Sequence, residues 1–437
     1  MEWQYAFLVI FGSLAVLLIA GVPVAFAFMI ANIIGILIWW GGEPGLRQLI
    51  LSTRQSVSSF VLLPVPLFIL MGEVMFQSGV GIRMILALDK WLGRLPGRLS
   101  LLTVGAGTVF ATMSGSSMAS AALLGSVLIP EMDKRGYHKS MSLGPVLGSG
   151  GLAIMIPPSS LAVVLGGIAE ISVGKLLMGI IIPGLIMAVI FSVYIILRAK
   201  LQPQLAPVYD VAPTPFLMKL SETAKYVLPL GLIIFLVIGL MFLGVATPSE
   251  AAAAGTLGAF ILAAVYKNLN FQMVKKSVLE TAEITVMVFL IMTGATAFSQ
   301  ILAFSGATRG LIDVVTTANL APIVIIIGMH IVLLFLGCFI NVIPIIMITM
   351  PMFMPIIDAL GLNPVWMGVG FLLNLEMAPI TPPFGLTLFV VKGVAPGGTT
   401  IEDCYRAAMP FIMCDLVALA LIIAFPVLSL WLPQNAL

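Results

Sequence analysis

The sequence predicts an all-α polytopic membrane protein built as two inverted repeats, each with a re-entrant helical hairpin followed by a broken helix. Three observations carry this reading. The 437 residues are 61% hydrophobic and only 9% charged, too little charge to coat a soluble domain of this length. A Pro-Pro pair interrupts an apolar run twice, in GGLAIMIPPSS at Pro157–Pro158 and in LEMAPITPPFG at Pro382–Pro383, 225 residues apart. Basic residues crowd the loops around the first interrupted region and are missing around the second.

Taken in order, apolar segments fall at about 5–40 (bending or dividing near Pro23), 55–80, 100–130, 141–169, 174–197, 226–245, 249–266, 284–303, 320–357, 364–391 and 407–432. A bilayer core of roughly 30 Å needs about 20 helical residues, and the uncharged stretches Leu101–Ile129 and Ser140–Ala169 meet that length. The start of the chain lacks a basic n-region and a small-residue cleavage site and reads as a retained first span. Arg198 to Lys225 contains LQPQLAPVYDVAPTP, a proline-rich cytoplasmic connector (198–225) between a first half (1–197) and a second (226–437). Within each half comes a hairpin (about 100–130 and 320–357) and then a broken helix (about 141–169 and 364–391).

Each Pro-Pro run is preceded by a glycine-bearing interruption, MSGSSMASAALLGSVLIP at 113–130 and LGCFINVIPIIMITMPMFMP at 336–355. Gly115 and Gly337 are 222 residues apart, close to the proline offset. Paired interruptions at matching offsets point to structural repeats around a binding site. Arg83, Lys90, Arg94, Arg98, Lys134, Arg135 and Lys139 surround the first interruption, whereas no Lys or Arg occurs from Gly310 through Val391. Basic loops stay cytoplasmic, so the repeats are inverted and each interrupted run enters and leaves on one side as a hairpin. An interrupted straight span is the alternative for either run.

Non-helical backbone inside a bilayer is tolerated only where protein, a cavity or an ion satisfies it. At Ser114–Gly115–Ser116–Ser117, small residues permit a tight turn and hydroxyls supply oxygen ligands for a hard cation. The half-helix starting near Ser117 points its N-terminal N–H groups at the tip, where a carboxylate fits. Gly337 to Asn341 is the equivalent tip. At the breaks, proline suits a first helical turn. Thr381 is placed as the N-cap before Pro382 and Pro383, and Ile156 holds that slot before Pro157 and Pro158, with Ser159 and Ser160 just beyond. Gly150 and Gly151 allow close approach of the tip. Unwound carbonyls around these loops become available to Na⁺.

Glu73, Glu376 and Asp415 lie in apolar surroundings, where carboxylates are costly and often functional. Glu376, five residues before Thr381, is a candidate coupling carboxylate, or else a cap on backbone N–H groups. Glu73 precedes the basic loop and reads as near the interface. Cys338, Cys404 and Cys414 have no metal-site spacing and read as buried thiols. The two histidines, His138 and His330, are too few for histidine-rich metal or acid–base chemistry. A net charge of +2 gives no reason to expect nucleic acid as a partner, and no Walker-type loop is present to use ATP.

SGSSMASAALLGSVLIPEMDKRGY, GGLAIMIPPSS and NLEMAPITPPFGLTLFV together resemble the large membrane subunit of tripartite ATP-independent periplasmic (TRAP) transporters, over essentially the whole chain. Asn341 is a departure, standing where many members carry aspartate, which lowers the ligand charge expected there. The resemblance implies an elevator-type fold in the bacterial inner membrane and Na⁺-coupled import of an organic acid such as a dicarboxylate or sialic acid. It implies two partners: a periplasmic substrate-binding protein and a small four-helix membrane subunit on a separate chain. Its two Na⁺ sites would fall on Ser114, Gly115, Ser116, Ser117, Gly151, Pro157 and Ser159, and on Gly337, Asn341, Ala378, Thr381, Pro382 and Gly385. Substrate would lie between them, at Ser116, Ser117, Ser159, Asn341 and Thr381. Two other readings stand beside it: a stand-alone Na⁺/dicarboxylate-type symporter, and an intramembrane serine hydrolase using Ser116 or Ser117 with His330 as base.

Overall fold

The computed structural model describes residues 3–114, 117–209, 215–318 and 320–436, without the side chains of 111–114. Among the described residues the secondary structure is helical throughout, and seven helices are long and apolar enough to cross a membrane. Local chemistry sets many of the boundaries. Pro23 separates Trp3–Ile19 from Val24–Trp39. A Thr247–Glu250 capping box starts Pro248–Val265, Asn270 caps the 34-residue helix Phe271–Phe304, and a Thr400–Asp403 box starts Ile401–Ala424.

The first interrupted run folds back on itself as Arg98–Ser114 and Ser117–Lys134. Its two ends meet at one phenol ring: Arg98 lies 5.5 Å and Arg135 3.8 Å from the centre of Tyr209. Leu99 N–H also reaches Tyr137 Oη at 3.5 Å. The run is therefore a hairpin and not a straight span. The second run forms Pro322–Gly337 and Val342–Ala359. His330 on one arm and Phe353 on the other both pack on Phe371, with ring centres 5.4 and 5.7 Å away, so these arms also run side by side.

The broken helices are Lys139–Met155 with Ser160–Ile168, bent by 49°, and Pro364–Met377, a 3-10 turn at Ala378–Ile380, then Leu386–Val394. They run antiparallel. Lys139, at the start of the first, donates to the Gly398 carbonyl just past the end of the second, at 2.9 Å. At the other end, Gly368 near the start of the second packs against Leu165 and Ile171 at the end of the first. They cross at their breaks, where an added Cβ on Gly151 would stand 2.6 Å from Glu376 Oε1. Gly144 and Gly148 seat the ring of Phe411 from Ile401–Ala424.

The region read as a connector is shorter than expected. A helix resumes at Phe216 and joins the next span, Phe216–Phe242, because FLMKLSETAKYV holds good helix formers after Pro215. Upstream, the Leu205 carbonyl accepts from His138 N–H at 2.9 Å. Burial pushes the Tyr209 phenol above its ordinary pKa, with Arg98 and Arg135 pulling the other way. Downstream, Glu222 pairs with Lys90, and Trp91 Nε1 donates to Thr223 Oγ1 at 2.7 Å. Glu43–Val57 is a further helix, missed because its polar residues hide it from a search for apolar runs.

Candidate functional site

At the first hairpin tip, helix resumes at Ser117; Gly115, Ser116 and the Ser114 side chain lie outside the described residues. The tip rests on the first broken helix through a missing side chain: a Cβ on Gly150 would stand 3.1 Å from the Ser117 carbonyl and 2.9 Å from Ala121 Cβ. The second tip rests on the second break in the same way, with Gly337 directly against Ala378. Asn341 begins the following helix, its Oδ1 accepting from Val342 N–H at 2.6 Å.

The breaks differ from the expected capping in one respect each. Pro157 and Pro158, joined by a cis bond, stay in the turn, so Ser159 and not Ile156 is the cap, its Oγ accepting from Ala162 N–H at 3.3 Å. Pro382 and Pro383 are likewise cis and non-helical. Thr381 is not an N-cap, because its hydroxyl donates back to the Met377 carbonyl at 2.7 Å and closes the preceding turn. Helix restarts only at Leu386, after Gly385. A Cβ on Gly385 would lie 2.6 Å from the Pro379 carbonyl and 2.8 Å from that of Thr381, so the loop closes only around glycine.

Both tips and both breaks line one cavity of about 290 Å³. Ser117 enters from the first tip, Ser160 from the first break, Gly337 and Asn341 from the second tip, and Pro379 and Phe384 from the second break. Of the expected residues, Ser117, Gly337 and Asn341 face it. Gly151 is buried in the helix Lys139–Met155, Pro157, Ser159, Ala378 and Gly385 are buried in the breaks behind the cavity, and Thr381 and Pro382 are half-buried there. Glu73, expected near the interface, lines the cavity instead and takes a weak hydrogen bond from Gln77 at 3.4 Å. Among the described residues no Lys or Arg lines it.

Glu376 does not cap backbone: neither carboxyl oxygen has a hydrogen-bond partner among the described residues. His330 is buried away from the cavity, with Asn374 Nδ2 donating to its carbonyl at 2.9 Å and lying 3.1 Å from Nδ1. It serves packing, not Ser117. His330→Ala is expected to leave uptake largely intact while costing about 2–4 kcal/mol of stability through the cavity left against Phe371. Uptake and thermal melting of the same preparation check this.

Antiparallel broken helices crossing beside two hairpin tips, around a cavity inside an apolar helical body, define a membrane transporter. The family model for "Tripartite ATP-independent periplasmic transporter, DctM component" matches residues 11–428, and the chain belongs to that family. It is thus a multi-pass protein of the bacterial inner membrane and a transport subunit, not an enzyme. It is 35% identical over 393 residues to the C4-dicarboxylate TRAP transporter large permease DctM of Pseudomonas aeruginosa, covering 89% of this chain and 90% of that one. It is 32% identical to the isethionate TRAP transporter permease DctMQ of Oleidesulfovibrio alaskensis, covering 97% of this chain but 66% of the relative. The fold is similar to that of the Alcanivorax borkumensis YdaH transporter, with a TM-score of 0.67 at 15% identity over 90% of each chain.

Proposed function

We propose that this chain carries an organic anion, a carboxylate or sulfonate, into the cell together with Na⁺. The carrying observation is the single cavity at which both tips and both breaks converge. One Na⁺ is held by the Ser114–Ser117 tip with Gly151, Pro157 and Ser159. The other is held by Gly337, Asn341, Ala378, Thr381, Pro382 and Gly385. The chemistry of these groups fits: Thr381 spends its proton on the Met377 carbonyl, leaving hydroxyl lone pairs for a cation. Anionic groups of the substrate meet the helix N-termini that start at Ser117 and after Asn341, together with the Asn341 side chain, which lines the cavity.

A periplasmic binding protein delivers the substrate and a small membrane subunit completes the assembly, in keeping with a family named for three parts. The hairpins and broken helices, with the helix Ile401–Ala424 seated on the first broken helix, move as an elevator against the remaining helices. Each net positive charge carried inward gains about 2.3 kcal/mol per 100 mV, so two Na⁺ with a monoanion let the membrane potential assist import.

The test is uptake of labelled organic acids, C4-dicarboxylates and isethionate included, into proteoliposomes holding this chain, its small partner and the cognate binding protein. Uptake is expected only with an inward Na⁺ gradient and the binding protein present. Na⁺-driven uptake by this chain alone would make it a self-sufficient symporter, and uptake indifferent to Na⁺ would overturn the coupling.

A further inference from the structure

The cavity has two walls, and they differ in charge. One is made of the two tips and two breaks. The other is made of Ile69 and Glu73 from the helix Pro64–Gln77, with Ile284 and Met287 from Phe271–Phe304. Among the described residues Glu73 is the one charged side chain lining the cavity. Its contact with Gln77 comes from a neutral amide, which leaves the charge standing.

Glu73 lies at the cytoplasmic end of its wall. Gln77 ends the helix one turn on, and the chain then enters the basic region of Arg83 and Lys90, which belongs on the cytoplasmic side. Asn268, just before the long helix, donates to the Ser78 carbonyl at 2.6 Å, so that helix starts on the same side. Near its start Lys275, Lys276, Glu280 and Glu283 are exposed and balance in number. Farther along, Ala295 and Ser299 lie about three and four turns beyond Ile284 on the same face. There they line a second cavity of about 290 Å³ with Gln55, Ser59 and Gln300. Its one acid among the described residues, Glu170, follows Ser160–Ile168 of the first broken helix. The wall formed by the remaining helices is thus neutral toward the periplasm and acidic toward the cytoplasm.

We propose that Glu73 drives release: it is a fixed negative charge that weakens the hold on an organic anion while the cavity faces the cytoplasmic end of this wall. The proposal rests on the reading of the cargo as an anion carried by an elevator. A charge on the moving hairpins would travel with the substrate and repel it equally at both ends. A charge on the fixed wall acts only where the substrate must leave. Two unit charges across a cavity this small weaken binding about tenfold.

Two measurements on the full-length chain in lipid test this. The first needs no substrate. Met287→Cys is labelled with an anionic and a cationic methanethiosulfonate, and modification at that residue is read by mass spectrometry. Relative to a free thiol, the cationic reagent is expected to be favoured about fivefold. Glu73→Gln should erase the preference, Glu73→Asp should keep it, and exchanging choline for Na⁺ should leave it unchanged. The second measures uptake of labelled C4-dicarboxylates and isethionate by the complete transporter, with the same acid preloaded inside. In Glu73→Gln the internal acid should inhibit at about tenfold lower concentration, and in Glu73→Asp near the original one. Should Glu73→Gln fail to fold, Glu73→Cys labelled with either reagent sets the charge after assembly, and the anionic label should give the weaker internal inhibition.

No preference, a preference that survives Glu73→Gln, or one that Na⁺ removes overturns the proposal whatever the chain transports. Unchanged internal inhibition beside a normal preference overturns the release role. If the unsubstituted chain takes up none of these acids while the preference is intact, the anion reading has failed and the release role falls with it.

Discussion

Replacing Gly337 by valine is expected to abolish uptake while leaving a folded, membrane-inserted protein. Gly337 ends the first arm of the second hairpin and presses on Ala378, and an added Cβ would also stand 3.0 Å from the Ala378 Cα. A backbone atom cannot step aside as a flexible side-chain end can. The tip must therefore lift off the break loop, carrying Asn341 with it and opening the cavity wall. Overpacking of this kind costs about 1–3 kcal/mol, small for a body with this much buried apolar surface, so the loss should fall on transport first. Uptake at least tenfold below the unsubstituted chain, with a modest fall in Tm, is the expected pair of readings. Full uptake by Gly337→Val would show that the tip and the break need not touch.

Arg98→Ala should act on stability rather than on transport. Arg98 is 4% exposed, its Nη2 donates to the Asp89 carbonyl at 2.9 Å and lies 2.8 Å from Asp89 Oδ1, and its guanidinium packs on Tyr209. Among the described residues Oδ1 has no donor with proper hydrogen-bond geometry, so the contact is an ion pair rather than a directed bond. Removing one partner of a buried pair costs about 3–5 kcal/mol. Asp89 is a third exposed and partly screened by solvent, which reduces the expectation to about 2 kcal/mol. Adding Asp89→Asn should recover part of it, and a double-mutant cycle in thermal melts measures the coupling. Additive losses would mean that the pair contributes nothing as a pair.

The breaks were legible in the sequence because proline has no N–H and cannot continue a helix, and because a membrane leaves such an interruption few purposes. Loop charge made the inversion legible for a similarly general reason. The capping was harder to read. Whether a Pro-Pro pair opens a helix or stays in the turn depends on neighbouring hydrogen bonds, which here move the first cap to Ser159 and turn Thr381 back on Met377. Depth was harder still. Glu73 looks the same in sequence at an interface as it does facing a cavity, since only the packing of other helices decides. The burial of the Glu376 carboxyl without a hydrogen-bond partner among the described residues is a tertiary fact with no local trace.

Phe411 sits in the double notch made by Gly144 and Gly148, and that fit works as a key in a keyway. Sliding the first broken helix by one turn would bring Ser140 or Leu152 beneath the ring, and neither leaves room for it. Packed interiors shift between discrete arrangements rather than deforming smoothly, and this one offers a single register. The first broken helix and the last long helix are thus geared together, and any stroke that moves one must carry the other with it, unslipped.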